Sequence, residues 1–75
     1  MSSRQLLDPN VTYDITMTIA VKSRGVTQEH RGRYRVPPGQ ARTVEQAVDE
    51  IRRTCAQQMG VHVSETSVAN CRFTA

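Results

Sequence analysis

Apolar and polar positions alternate without a break from Val11 to Val21: Val11, Tyr13, Ile15, Met17, Ile19 and Val21 against Thr12, Asp14, Thr16, Thr18 and Ala20. A period of two sends successive side chains to opposite faces of an extended chain, so the pattern predicts a strand over about 11–22 that is buried on one face only. Ser23-Arg24-Gly25 then supplies a reversal, with Gly25 free to take positive φ. A second alternating stretch over about 26–36 puts Val26, Gln28, His30, Gly32, Tyr34 and Val36 on one side and Thr27, Glu29, Arg31, Arg33 and Arg35 on the other. Pro37-Pro38-Gly39 ends it, because proline donates no ladder hydrogen bond and holds the preceding residue extended.

The period then changes. Val44, Ala47, Val48, Ile51, Cys55 and Met59 recur at three- and four-residue intervals, which predicts an amphipathic helix with one apolar stripe. Thr43 followed by Gln46 has the form of a capping box, and Gly60 is a natural stop. Glu45, Asp49 and Glu50 come early and Arg52-Arg53 later, the order the helix dipole favours, and Asp49 with Arg53 forms a supportive i,i+4 pair. Val61–Thr66 reads as a loop. A third strand is expected around Ser67–Thr74, with Ala69, Cys71 and Phe73 facing the core and Val68, Asn70, Arg72 and Thr74 facing away.

The order β-β-α-β predicts an α+β fold, a two-layer sandwich. Its three-stranded antiparallel sheet has the order 2-1-3, with the most apolar strand central and one helix packed on one face. Residues 1–10 are expected to form a flexible arm unless Leu6 or Leu7 docks, and 11–75 a single small domain. The element order is similar to the first four elements of ubiquitin-like β-grasp folds. That is a likeness of fold alone, and the chain reads Phe73-Thr74-Ala75 where a conjugated modifier carries Gly-Gly.

A chain of 75 residues buries only roughly 60–65% of the surface its unfolded form exposes, so its stability margin is thin. Two cysteines are too few for a secreted disulfide scaffold, no apolar run approaches bilayer length, and no secretion leader opens the chain. A cytoplasmic location without membrane contact is the resulting expectation, and the sequon Asn10-Val11-Thr12 is read as accidental. The net charge is +3, and nine of the ten basic residues are Arg. That imbalance favours encounter with an anionic partner without naming one.

The face opposite the helix carries the candidate binding residues: Arg31, Arg33 and Arg35 from strand two, Thr16 and Thr18 from strand one, and Arg72 from strand three. Asp14 is expected across from Arg33 or Arg35, neutralising one of them. Arg31-Gly32-Arg33 resembles the core of an AT-hook, which lays its arginines into the minor groove of A/T-rich DNA; the likeness covers three residues and lacks the flanking prolines. Arginines at alternate strand positions stand ~7 Å apart, close to a phosphate spacing. Against nucleic acid, Tyr13 and Tyr34 both point to the helix side and leave no ring for base stacking on the arginine face.

Catalytic chemistry finds no pattern. His30 and His62 are the only imidazoles, no Ser-His-Asp or Cys-His spacing accompanies them, and no metal-ligand spacing links them to the cysteines. Cys55 and Cys71 both fall on core-facing stripes, where a thiol acts as a small apolar group. Gly32 is expected to mark a bulge or a close backbone approach. The N-terminus of the helix, with Gly39 and Arg42, reads as a plain cap rather than an anion site. The expectation is therefore a non-enzymatic protein-binding module without cofactor or metal, acting through the Arg/Thr face or an edge strand. Its partner is another protein, a second copy of itself included, and the alternative is sequence-independent binding of a nucleic-acid backbone.

Overall fold

The fold is seen in a computed structural model that describes residues 5–75. Two strands, β1 (Tyr13–Val21) and β2 (Val26–Tyr34), are followed by helix α1 (Val44–Met59), a 3-10 turn over Val63–Glu65 and strand β3 (Thr66–Thr74). The sheet order is β2-β1-β3, and both pairings are antiparallel, as the alternation predicts.

Tyr13, Ile15, Met17, Ile19 and Val21 are all buried beneath the helix, with Met17, Ile19 and Val21 the most completely covered side chains. Each such side chain contributes roughly 1.5–3 kcal/mol by leaving water, which is why the central strand dominates the stability of so small a domain. Phe73 joins from β3 and packs edge-on against Tyr13 (6.2 Å between ring centres) and Tyr34 (6.4 Å). All three aromatic rings thus lie on the inner side of the sheet.

The helix begins as its capping box requires. The Thr43 hydroxyl accepts from the Gln46 N–H, and the Gln46 side-chain oxygen accepts from the Thr43 N–H at 2.9 Å. It ends at Gly60, left-handed at φ 71°, whose N–H returns to the last carbonyls. Asp49 accepts from Arg52 (3.0 Å) and Arg53 (2.8 Å) on the solvent side. The hairpin turn places Gly25 at φ 63°, a region open to glycine without a Cβ penalty.

Part of the predicted arm is tied down. The Leu7 N–H donates to the Arg42 carbonyl, the Val44 N–H donates to the Gln5 carbonyl, and Leu7 is buried in the core beside Val36 and Val44. The expectation for residues 1–4 lies outside the described residues.

The third strand departs from the predicted alternation. Val68 pairs with Ile19 and Phe73 with Ile15, both on the inner face, although they are five residues apart. A bulge between the Thr18–Ala69 and Thr16–Arg72 pairs absorbs the odd residue, with Asn70 in the left-handed region at φ 54°. Two expectations are corrected here. Ala69 and Cys71 do not face the core; both are exposed, and Val68 takes the inward position. The inward alternation survives only at Phe73.

Candidate functional site

The sheet face turned away from the helix is crossed by rows of aligned residues, each row taking one residue from every strand. Arg31, Thr16 and Arg72 form one row; Arg33, Asp14 and Thr74 form the next; Glu29, Thr18 and Ala69 lie on the other side. Neighbouring strands stand ~4.8 Å apart, so Arg31 and Arg72 bracket Thr16 at about 10 Å from each other. Five of the six residues singled out from the sequence, Thr16, Thr18, Arg31, Arg33 and Arg72, are thereby brought together.

Arg35 is not among them. β2 ends at Tyr34, and the Arg35 Nε donates to the Pro9 carbonyl at 3.3 Å, which draws the side chain to the chain's entry rather than to the face. That engagement is tertiary, and the period-two pattern carries no trace of it.

The arginines are partly answered by carboxylates of the same face. Arg31 pairs with Glu29 at 2.6 Å, and Arg33, one of the two partners expected for Asp14, pairs with it at 3.5 Å. Arg31 and Arg33 remain 77% and 81% exposed, so water screens both pairs and a competing anion displaces them at small cost. Arg72 makes no ion pair among the described residues. Beside it lies a concavity of about 230 Å³ at the β-bulge, lined by Thr16, Met17, Thr18, Glu29, Asn70 and Arg72. Hydroxyls, an amide, a carboxylate and a guanidinium converge there, a set suited to polar recognition.

A second recess lies between α1 and the inner side of β2. It holds about 230 Å³ and is lined by His30, Tyr34, Glu50, Ile51, Thr54, Cys55 and Gln58. Cys55 Sγ stands 3.6 Å from His30 Nδ1 at its floor, a contact that no Cys–His spacing in the sequence announces. The signal was nevertheless present: His30 sits on the inner side of its strand and Cys55 on the inner stripe of the helix. The pair is poorly placed for nucleophilic work. Cys55 is buried and burial pushes its thiol pKa up, away from the reactive thiolate. The acid that lines the recess, Glu50, is committed to Arg42 and to the Tyr34 hydroxyl, which donates to it at 3.0 Å. Burial and that carboxylate together raise the Tyr34 pKa. Gly32 marks neither a bulge nor a close backbone approach: its register with β1 is unbroken, and a Cβ there would meet the His30 side chain at an ordinary 3.4 Å contact.

At the helix N-terminus, Arg42 is engaged by Glu50 and by the Gln40 side chain. Among the described residues no group of three or more His, Cys, Asp or Glu side chains is placed to hold a metal ion, and no helix is long and apolar enough to cross a membrane. Compared with known proteins, the chain matches no family model, and no curated protein or solved structure is significantly similar to it.

Proposed function

We propose that the chain is a small non-enzymatic protein-binding module whose outer sheet face engages an acidic surface of a partner protein. The observation that carries this reading is the row Arg31–Thr16–Arg72, laid across all three strands on the face that neither the helix nor any aromatic ring covers. The antiparallel sheet fixes the backbone positions of Arg31 and Arg72 on either side of Thr16, and Thr16 and Thr18 add neutral donors and acceptors between them. Guanidinium forks match carboxylates in a planar, two-pronged geometry, which favours aspartate- or glutamate-rich partners. Charge of this kind governs orientation and encounter rate more than raw affinity, so the complex is expected to be salt-sensitive.

Phosphate-backbone binding is the second reading. It draws on the same face, where Arg31 and Arg33 alternate at ~7 Å along one strand. The aromatic rings all lie on the opposite side, which weighs against binding of single strands by stacking.

Titrating the chain with a glutamate-rich peptide and with duplex DNA, each at two salt concentrations, tests both. The proposal expects peptide binding that weakens with salt and falls several-fold in Arg72→Ala, with weaker binding to the duplex. Tighter binding to DNA, with a steep salt slope that Arg31→Ala/Arg33→Ala flattens, would support the second reading. No binding to either ligand at low salt removes the arginine face as a working surface.

A further inference from the structure

The two edges of the sheet are unlike each other. β3 is broken by the bulge at Asn70, a device that twists an edge away from foreign strands. β2 keeps an unbroken nine-residue register with β1, and among the described residues no strand pairs with its other side. Every residue along it is exposed except His30 and Tyr34, which are half-buried, and Val26 at its start is 50% exposed. Helix α1 does not close over this edge, and the recess at His30, Tyr34 and Cys55 stays open beside it.

The sequence of β2 is complementary to itself. His30 is its midpoint, and Glu29 and Arg31 flank that midpoint on the outer face. We propose that two copies of the chain pair antiparallel through β2 about a two-fold axis at His30, joining two three-stranded sheets into one. In this full-length register Glu29 faces the partner's Arg31, and Arg31 faces the partner's Glu29. Val26 faces the partner's Tyr34, which covers an apolar side chain now open to water, and Gln28 faces the partner's Gly32, where there is no side chain to meet. The four central charges alternate in sign around the axis, so each carboxylate lies between two guanidiniums. The Glu29–Arg31 contact within one chain already holds both groups on that face.

Neighbouring registers lose this match. An axis at Arg31 opposes two Arg31 side chains, an axis at Glu29 opposes two carboxylates, and an axis at Gly32 sets Arg31 against the partner's Arg33. Like charges directly opposite in a sheet are destabilising; the Arg31 axis offsets its Arg31–Arg31 clash in part with two Glu29–Arg33 pairs, and only the His30 axis sets charges against opposite charges alone. An isologous contact of this kind is closed by its two-fold axis and does not propagate into fibres. It also continues the outer face across both copies, doubling the row of arginines, though the pairing itself needs no acidic partner.

Analytical ultracentrifugation of the full chain over a range of micromolar concentrations tests the proposal, with circular dichroism to confirm that each variant folds. The wild-type chain is expected to dimerise. Glu29→Arg and Arg31→Glu should each weaken the dimer about tenfold, because two symmetry-related pairs turn from attractive to repulsive. The double variant E29R/R31E restores opposite charges across the axis and should recover the dimer to within a few-fold of wild type. A chain that stays monomeric throughout, or a dimer that the single variants do not weaken, or a double variant no better than the singles, overturns it. Arg72→Ala should leave the dimer intact while lowering peptide binding, so this pairing and the arginine-face reading fail independently.

Discussion

Met17 on the central strand faces two residues of β3, Asn70 and Cys71, where a regular ladder would oppose it with one. Asn70 absorbs the extra residue in a left-handed conformation, and the consequence reaches the core: Val68 and Phe73 both turn inward only because the bulge lies between them. Asparagine tolerates this region better than most residues, glycine better still, and β-branched residues worst. Asn70→Gly is therefore expected to leave stability unchanged or raise it by a few tenths of a kcal/mol, and Asn70→Val to lower it by about 1–2 kcal/mol. Urea unfolding monitored by circular dichroism measures both.

The same bulge sorts the two thiols. Cys71 is exposed and Cys55 is buried against His30, although desolvation pushes both thiol pKa values up. In native protein at neutral pH, a disulfide reagent such as dithionitrobenzoate should titrate one thiol readily and the second only slowly. Adding denaturant should release the second. Cys71→Ser should remove the fast phase, and equal rates for both thiols in the wild type would contradict the burial of Cys55.

The strands β1 and β2, the helix with both caps, and the sheet order were legible because each rests on a local signal: period two, period 3.6, a Thr-x-x-Gln box and a stopping glycine. The alternation narrows the cross-strand partner of Asp14 to Arg33 or Arg35, and the register of the folded hairpin selects Arg33. What was hidden depends on a break in periodicity or on distant packing. A bulge shifts the phase of alternation without changing composition, so Cys71 and Ala69 read as core residues when they are not. Arg35 fits the arginine row by number, and only the docked Pro9 turn takes it away. The contact between His30 and Cys55 needed the sheet and helix placed together before it could be seen.

Helix α1 is held at its start by Thr43, whose hydroxyl and N–H both serve the capping box. Thr43→Ala removes the hydroxyl acceptor and is expected to cost about 1 kcal/mol, with Thr43→Ser recovering most of it. Met17→Ala acts on a different scale. The side chain is 1% exposed at the centre of the sheet, and its loss should cost about 2–5 kcal/mol, a large fraction of the stability of a domain this small. Thermal melts should show a modest drop for the first variant. The second should populate the unfolded state at room temperature.

Asp49 gives the helix a dependence on acid. Its hydrogen bond to Arg53, and then that to Arg52, holds its pKa below the ordinary aspartate value of about 3.9. A group whose folded pKa is depressed binds its proton more readily when the chain is unfolded, so stability rises with pH across that interval. The contribution is fully present above about pH 4, the unfolded value, and disappears as pH falls through the lower folded value. Both arginine contacts are solvent-accessible helix-surface pairs, so the amount is small, about 0.5 kcal/mol. Asp49→Asn should be destabilised by that amount at pH 7, and its difference from wild type should vanish near pH 2. Urea midpoints for the two proteins across this range, at low and high salt, measure the effect. A difference that persisted at pH 2 would assign Asp49 a packing role instead of an electrostatic one.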